Sequence, residues 1–157
     1  MNPKPILNFA AQFGVQIALN LDLMVEKNGR FYLVNRDLKP LVRQDFFSAG
    51  VFLGKAKEGK FFPSFNLLGM FAKKEANRII LDGKAAWLFI CGRDVLRKSV
   101  VRVTGPGRKD TNTLVMNEFG ECLGFGRIVE NLRGTIGSND IAVRNVLDIG
   151  DFLRRER

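Results

Sequence analysis

Histidine is absent from the 157-residue chain, and cysteine occurs only twice, as Cys91 and Cys122. The absence of histidine excludes Ser-His-Asp and Cys-His relays, histidine proton shuttles and zinc sites that use two histidines. The spacing of the two cysteines fits neither a CxxC redox pair nor a four-ligand metal set. A chain of this length can build a stable hydrophobic core without a disulfide. We therefore expect two buried free thiols in a reducing compartment, with a disulfide as the alternative.

Long apolar runs are also missing. The longest spans residues 85–91, which is seven residues, whereas a membrane-spanning helix needs about 20. Asn8, Gln12 and Gln16 interrupt the first twenty residues, so they do not form the apolar stretch of a signal peptide. The sequence predicts a cytoplasmic protein without a membrane segment.

The composition that remains is that of a basic globular chain. Hydrophobic residues make up 46% and charged residues 26% of the sequence, which indicates a buried core. Lys and Arg total 25 against 16 Asp and Glu, giving a net charge of +9 and a pI of about 10.0. A charge of this size favours a polyanionic partner.

Hydrophobic spacing predicts alternating helices and hairpins in the first half of the chain. Apolar residues at steps of three and four predict a first helix over about residues 4–20. Asn28-Gly29 between apolar segments is typical of a hairpin turn. A strand over Val51–Lys57 should turn at Glu58-Gly59. The remaining elements expected here are a strand over residues 38–42, a helical turn over residues 43–48 and a helix over residues 65–75.

Composition changes at about Asn77, which divides the chain into two segments. Residues 1–76 hold ten of the fourteen Phe residues but only three Arg, whereas residues 77–157 hold eleven Arg. The second segment reads as short strands around one small helix over residues 84–90, typical of a compact, partly closed β barrel. We therefore predict an α+β chain of two small domains. These are an amino-terminal α/β domain with antiparallel hairpins (1–76), which holds the aromatic core, and a carboxy-terminal β barrel (77–157).

Two glycine-rich stretches and one pair of aspartates resemble catalytic or nucleotide-binding motifs, but none has the required residues at the required spacing. The glycines of residues 50–56 lack the spacing and the Ser or Thr of a nucleotide-binding loop, and Gly124-Phe125-Gly126 lacks a third glycine. Both are interpreted as strand or turn glycines. Asp148 and Asp151, close to Arg154 and Arg155, are interpreted as salt-bridge or helix-capping acids. The sequence therefore predicts no catalytic residues, no metal site and no cofactor.

The cations of the second segment are the candidate binding residues. Arginine is the preferred side chain where a planar fork must grip phosphate oxygens or stack on an unpaired base. A cluster of arginines ends the chain, and further cations lie beside the strand that begins at Val100. The alternative is a solvated tail that only promotes solubility. The candidates for RNA contact are Arg154, Arg155, Arg157, Arg93, Arg97, Lys98 and Arg144.

The second segment resembles a PUA domain, a small RNA-binding fold. Residues 78–84 (RIILDGK) are similar to its first strand and glycine loop, and residues 85–92 to its helix. Two strings, residues 123–126 (LGFG) and 148–154 (DIGDFLR), resemble those of the Nip-seven family of large-subunit ribosome biogenesis factors, in its archaeal type. Residues 50–55, followed by Phe61-Phe62 and the helix over residues 65–75, are similar to that family's amino-terminal domain.

The resemblance implies a non-enzymatic RNA-binding factor in ribosome assembly. Its expected ligand is precursor ribosomal RNA, at uridine-rich or single-stranded regions. Proteins of ribosome maturation or RNA degradation would dock on the amino-terminal domain of a monomer. The resemblance adds Lys84 to the candidate RNA-contacting residues and gives Arg154, Arg155 and Arg157 the role of a basic tail. The alternatives are an RNA-modifying enzyme or its accessory subunit, and an adaptor that binds only proteins.

Overall fold

The computed structural model describes residues 1–43 and 45–155, apart from the side chain of Phe152. The described part of the first segment contains two α-helices and four strands. Helix α1 begins just after Pro3 and buries Ile6, Phe9 and Ala10, whereas α2 is capped by the Ser64 side chain. The elements are α1 (Lys4–Ala11), β1 (Met24–Lys27), β2 (Arg30–Leu33), β3 (Val51–Lys57), β4 (Lys60–Pro63) and α2 (Phe65–Ala72).

The four strands form one antiparallel sheet in chain order. Its outer hairpins turn at Asn28-Gly29 and Glu58-Gly59, where all four residues have positive φ between 51° and 74°. A two-residue turn that matches the twist of its strands requires this backbone conformation. Both predicted turns are therefore confirmed, and the antiparallel hairpins with them.

Three predictions for the first segment are wrong in extent or type. Helix α1 ends at Ala11, well short of residue 20, because the chain turns through Gly14 at φ +68°. Residues 38–40 form turns, and a 3₁₀ helix covers Leu41–Arg43. Pro40, without an N–H, cannot contribute a donor to a strand there. Residues 45–48 are not helical, and Gln44 lies outside the described residues.

The second segment is a curled six-stranded sheet with two helices. Its strand order is β6-β10-β9-β8-β5-β7. The two edge strands, β6 and β7, are joined by only three residues, a 3₁₀ helix over Arg97–Ser99, so the sheet curls until its edges approach each other. The predicted α+β class and partly closed barrel are confirmed. The elements are β5 (Arg78–Leu81), α3 (Gly83–Ile90), β6 (Val95–Leu96), β7 (Val100–Thr104), β8 (Asn112–Met116), β9 (Cys122–Ile128), β10 (Ile141–Asp148) and α4 (Ile149–Arg155).

A bulge at Gly124 lets strand β9 contribute to both faces of the sheet. The register with β8 shifts between Val115 and Met116, which pair with Gly124 and Cys122. Leu123 consequently packs inside the barrel, whereas Phe125 packs against the first segment. Gly124 has φ +149°, a conformation that L side chains rarely adopt. Gly124 and Gly126 both lie within β9, so their interpretation as strand glycines is correct.

The distribution of Phe predicts an aromatic core within the first segment. The core in fact extends into the second segment. The rings of Phe9 and Phe13 each lie 5.5 Å from that of Phe125 in strand β9. Leu114 and Met116 of β8 belong to the same buried cluster. These residues lie in the second segment but complete the core of the first, because the outer face of the barrel is apolar there. The division at residues 76 and 77 itself remains a prediction.

Both cysteines are free, but the expectation that both are buried is wrong. Cys91 follows the last turn of α3 and is exposed, while Cys122 is partly buried between the two segments. Burial raises the pKa of the Cys122 thiol. Cys91 escapes burial because helix α3 directs Ala85, Ala86 and Phe89 to the barrel and its opposite face to solvent. None of the described helices has the length and apolar character needed to cross a bilayer.

Candidate nucleic-acid interface

Arg154, the first arginine of the predicted basic tail, is held in a structural ion pair. Its Nη2 lies 2.9 Å and 3.0 Å from the two carboxylate oxygens of Asp148, and its Nη1 donates to the carbonyl of Ile90 at 2.7 Å. The Asp148 side chain is 4% exposed. The pair therefore fastens α4 to the end of α3, and Asp148 neutralises the guanidinium.

Asp148 carries several further contacts. Its carboxylate accepts hydrogen bonds from the backbone N–H of Asp151 at 2.9 Å and from the Asn145 side chain at 3.1 Å. The first bond caps helix α4, since the four leading N–H groups of a helix lack intrahelical partners. The sequence interpretation of Asp148 as a capping and salt-bridge acid is confirmed.

Arg155 and Arg144 also have acidic partners. Arg155 Nε lies 2.9 Å from Asp151, one helical turn away. Arg144 Nη1 lies 3.4 Å from Asp94. Both arginines are largely exposed, so these pairs hold them only loosely. We expected the tail arginines to form one positively charged surface without acidic partners. In the described residues, Arg154 and Arg155 are each paired with an aspartate. Arg157 lies outside the described residues.

Lys84 and Arg93 lie at opposite ends of α3. Lys84 is the second residue of the helix, after the capping Asp82, and is exposed. Arg93 is exposed just beyond the helix, after Gly92. Neither forms an ion pair with another described residue. They are available cations, but α3 separates them instead of bringing them together.

Arg97 lies in a cleft where three arginines meet, hereafter the arginine cleft. The cleft has a volume of about 420 Å³ and contains Arg97, Arg102 and Arg133 among its lining residues. It runs along the outer edge strand β7, and no carboxylate is among its described lining residues. None of the three arginines forms an ion pair with a described residue. Lys98, the next residue after Arg97, is exposed on the same 3₁₀ helix.

Backbone contacts hold two sides of this cleft in place. Arg133 donates from Nε and Nη2 to the carbonyl of Gly105, at 3.0 Å and 2.9 Å, and from Nη2 to that of Val103 at 3.3 Å. These bonds orient the guanidinium, and its Nη1 makes no hydrogen bond with a described residue. On the other side, the N–H of Arg97 donates to the carbonyl of Asp140 at 3.0 Å.

The arginine cleft is suited to bind phosphate. Guanidinium groups bind phosphate oxygens through paired N–H donors, and a fixed orientation reduces the entropy lost on binding. Its positive charge is not compensated by a carboxylate of the lining. The arrangement thus provides a site for the backbone of a polyanion.

Two of the three cleft residues, Arg102 and Arg133, were missed by sequence reasoning. Arg102 lies within an apolar strand, and Arg133 lies in the loop between β9 and β10, more than thirty positions from Arg97. The usable signal was Arg102 itself, a charge inside a run of valines, which marks an exposed position on an edge strand. The approach of Arg133 follows from the barrel's closure, which local patterns do not reveal.

A comparison with protein families places the second segment among PUA domains. The UPF0113 PUA domain family model matches residues 77–157, which is more than half of the chain. The chain belongs to the UPF0113 PUA domain family. A UPF0113 protein of Archaeoglobus fulgidus is 30% identical over 113 residues, which cover 69% of this chain and 63% of that protein. The match thus spans less than two thirds of the relative's length.

Solved structures share the fold of this UPF0113 chain at low sequence identity. A conserved PUA domain protein from Thermoplasma acidophilum has a TM-score of 0.62 and 18% identity, covering 97% of this chain and 91% of that one. A hypothetical protein from Pyrococcus horikoshii OT3 has a TM-score of 0.52 and 14% identity, covering 80% and 72%. The likeness to the first extends over both segments, so the arrangement of the whole chain is shared with a PUA domain protein.

Proposed function

We propose that this protein binds RNA through the arginine cleft of its PUA barrel. The observation that carries the proposal is the meeting of Arg97, Arg102 and Arg133 in a cleft whose described lining includes no carboxylate. Membership of a PUA domain family and the net charge of +9 support a nucleic-acid partner. RNA is the favoured partner because no described helix has the basic face of a major-groove reader.

The binding mechanism is electrostatic capture. Phosphates that contact the arginines displace condensed counterions, and the entropy gained makes binding favourable and dependent on salt. Lys98, exposed beside Arg97, extends the positive surface along the edge of the barrel. Arg154 acts in this scheme as a structural residue, since Asp148 holds its guanidinium against the end of α3.

The finer assignment is to the ribosome biogenesis factors of the Nip-seven type. It is supported by the resemblance of the sequences at residues 123–126 and 148–154 to that family. The second of these sequences contains the Asp148–Arg154 ion pair. We infer that the protein binds single-stranded or uridine-rich regions of precursor ribosomal RNA in the cytoplasm, without catalysis. The lack of histidine and of an acid and base pair supports a non-enzymatic role.

We further infer that a protein partner docks on the first segment. Phe47 is 91% exposed and Leu41 is 63% exposed on the connection between β2 and β3. Burying exposed apolar side chains of this size against a partner is favourable. Both are candidates for the contact with a ribosome maturation or RNA-degradation protein.

Replacing Arg97, Arg102 and Arg133 together with glutamine is expected to weaken binding to single-stranded RNA by about tenfold or more at moderate salt, because the phosphate contacts are lost. Fluorescence anisotropy with labelled RNA measures this change. The matched control replaces Arg36, Lys39 and Arg43 with glutamine. It removes the same charge from exposed positions of the first segment.

The two triple variants separate a site from a general charge effect. An equal loss of affinity in both would show that overall charge, and not the arginine cleft, drives binding. Wild-type protein that fails to bind RNA at low salt would contradict the proposed function altogether.

A further inference from the structure

A second and larger cleft, hereafter the intersegment cleft, lies where the first segment meets the barrel. Its volume is about 1060 Å³. One wall consists of α1 and the β3–β4 hairpin, and the other comes from β9, β10 and α4. Of the described residues predicted to contact RNA, only Arg155 lines this cleft.

The charged lining of the intersegment cleft is predominantly basic. Lys4, Lys55, Lys60 and Arg155 line it, whereas Asp151 is the single carboxylate among its described lining residues. Asp151 is already paired with Arg155 at 2.9 Å. None of the three lysines forms an ion pair with a described residue. The cleft therefore carries uncompensated positive charge and suits an anionic occupant.

Aromatic rings and amides lie beside these lysines. Phe62 is 53% exposed on the edge strand β4 and lines the cleft together with Phe52 and Phe61. The amide of Asn8 is exposed and makes no hydrogen bond with a described residue. Unpaired bases stack on exposed aromatic rings, and amide groups hydrogen-bond to base edges.

We propose that the intersegment cleft binds a short stretch of single-stranded RNA, with its bases against Phe62 and its phosphates at Lys4, Lys55 and Lys60. The combination of lysines, an exposed ring and a free amide fits this ligand better than an acidic or apolar peptide, which would leave the ring or the lysines unused. The inference rests on the proposed function, because it assumes an RNA partner. It adds a base-contacting site to the phosphate contacts of the arginine cleft.

The test compares a cleft variant, Phe62→Ala with Lys60→Gln, with wild-type protein. The control variant, Phe119→Ala with Lys73→Gln, removes an exposed ring and one positive charge outside both clefts. The probes are a single-stranded RNA of about ten nucleotides and the same sequence as a duplex. We expect the cleft variant to lose about tenfold in affinity for the single strand, through lost stacking, and little for the duplex. The control should resemble wild type.

Each outcome either supports or overturns the inference. Unchanged single-strand affinity in the cleft variant, with a loss in the arginine triple variant, would overturn it and leave the proposed function standing. An equal loss for both probes would show a charge effect without base contacts and would also overturn it. A second variant, Lys4→Gln with Lys60→Gln, leaves every ring in place and should weaken binding without altering thermal stability. If no protein binds either RNA, both proposals fail.

Discussion

Replacing Asp148 with asparagine is expected to lower the free energy of unfolding by about 3 kcal/mol. The carboxylate is nearly buried and accepts bonds from Arg154, Asn145 and the backbone of Asp151. Asparagine has the same shape but no charge, so Arg154 would lose its counterion. The loss is smaller than for a fully buried pair, because Arg154 is 44% exposed. Urea unfolding followed by circular dichroism measures the change.

The control for Asp148 is Glu130→Gln, which neutralises an exposed carboxylate 3.7 Å from Lys109. Surface pairs of this kind contribute little, so this variant should lie within about 1 kcal/mol of wild type. If Asp148→Asn is as stable as the control, the Arg154 contact is not structural. The tail arginine would then again be a candidate for RNA binding.

Replacing Gly124 with alanine is expected to cost about 4 kcal/mol or more. A Cβ at this position would lie 2.8 Å from the carbonyl carbon of Leu147 and 2.9 Å from the Cα of Asp148. Both are backbone atoms of the neighbouring strand β10, so neither can move without breaking the sheet. The φ of +149° adds strain for any L residue. Thermal unfolding monitored by calorimetry gives the difference in stability.

Gly120→Ala provides the comparison, because Gly120 also has a positive φ, of +80°, but a Cβ there meets nothing within 4 Å. Its expected cost is about 1 kcal/mol, from backbone strain alone. The difference between the two variants isolates the close approach of β10. Similar costs for both would mean that the strands can separate at Gly124 without penalty.

Local sequence signals predicted the hairpins and the α3 helix because these depend on neighbouring residues. The spacing of short strands around one helix predicted the barrel class. The dipeptide Asn-Gly between two apolar segments favours a two-residue hairpin turn, and Asn28-Gly29 is such a dipeptide. The end of α1 was missed because the apolar spacing continues through Phe13 and Ile17, while Gly14 turns the chain. The shared aromatic core was missed because the contact of Phe125 with Phe9 joins residues far apart in sequence.

The site was predicted only in part, for the same reason. Arg97 was recognised as a cation near a strand, but Arg133, more than thirty positions away, joins it only through the curling of the sheet. Counting charges at the chain terminus favoured Arg154, since composition does not show that Asp148 is near enough to neutralise it. The sequence identifies a basic residue, but only the fold shows which acidic side chain lies close enough to pair with it.

The salt dependence of RNA affinity tests most directly whether the arginine cleft grips phosphates. Each phosphate contact to a single strand contributes about 0.7 to the slope of the logarithm of the binding constant against the logarithm of salt concentration. Replacing Arg97, Arg102 and Arg133 with glutamine should therefore reduce the magnitude of that slope by about 2. Replacing Arg36, Lys39 and Arg43 should leave it unchanged. Equal slopes for wild type and the arginine-cleft variant would contradict the account.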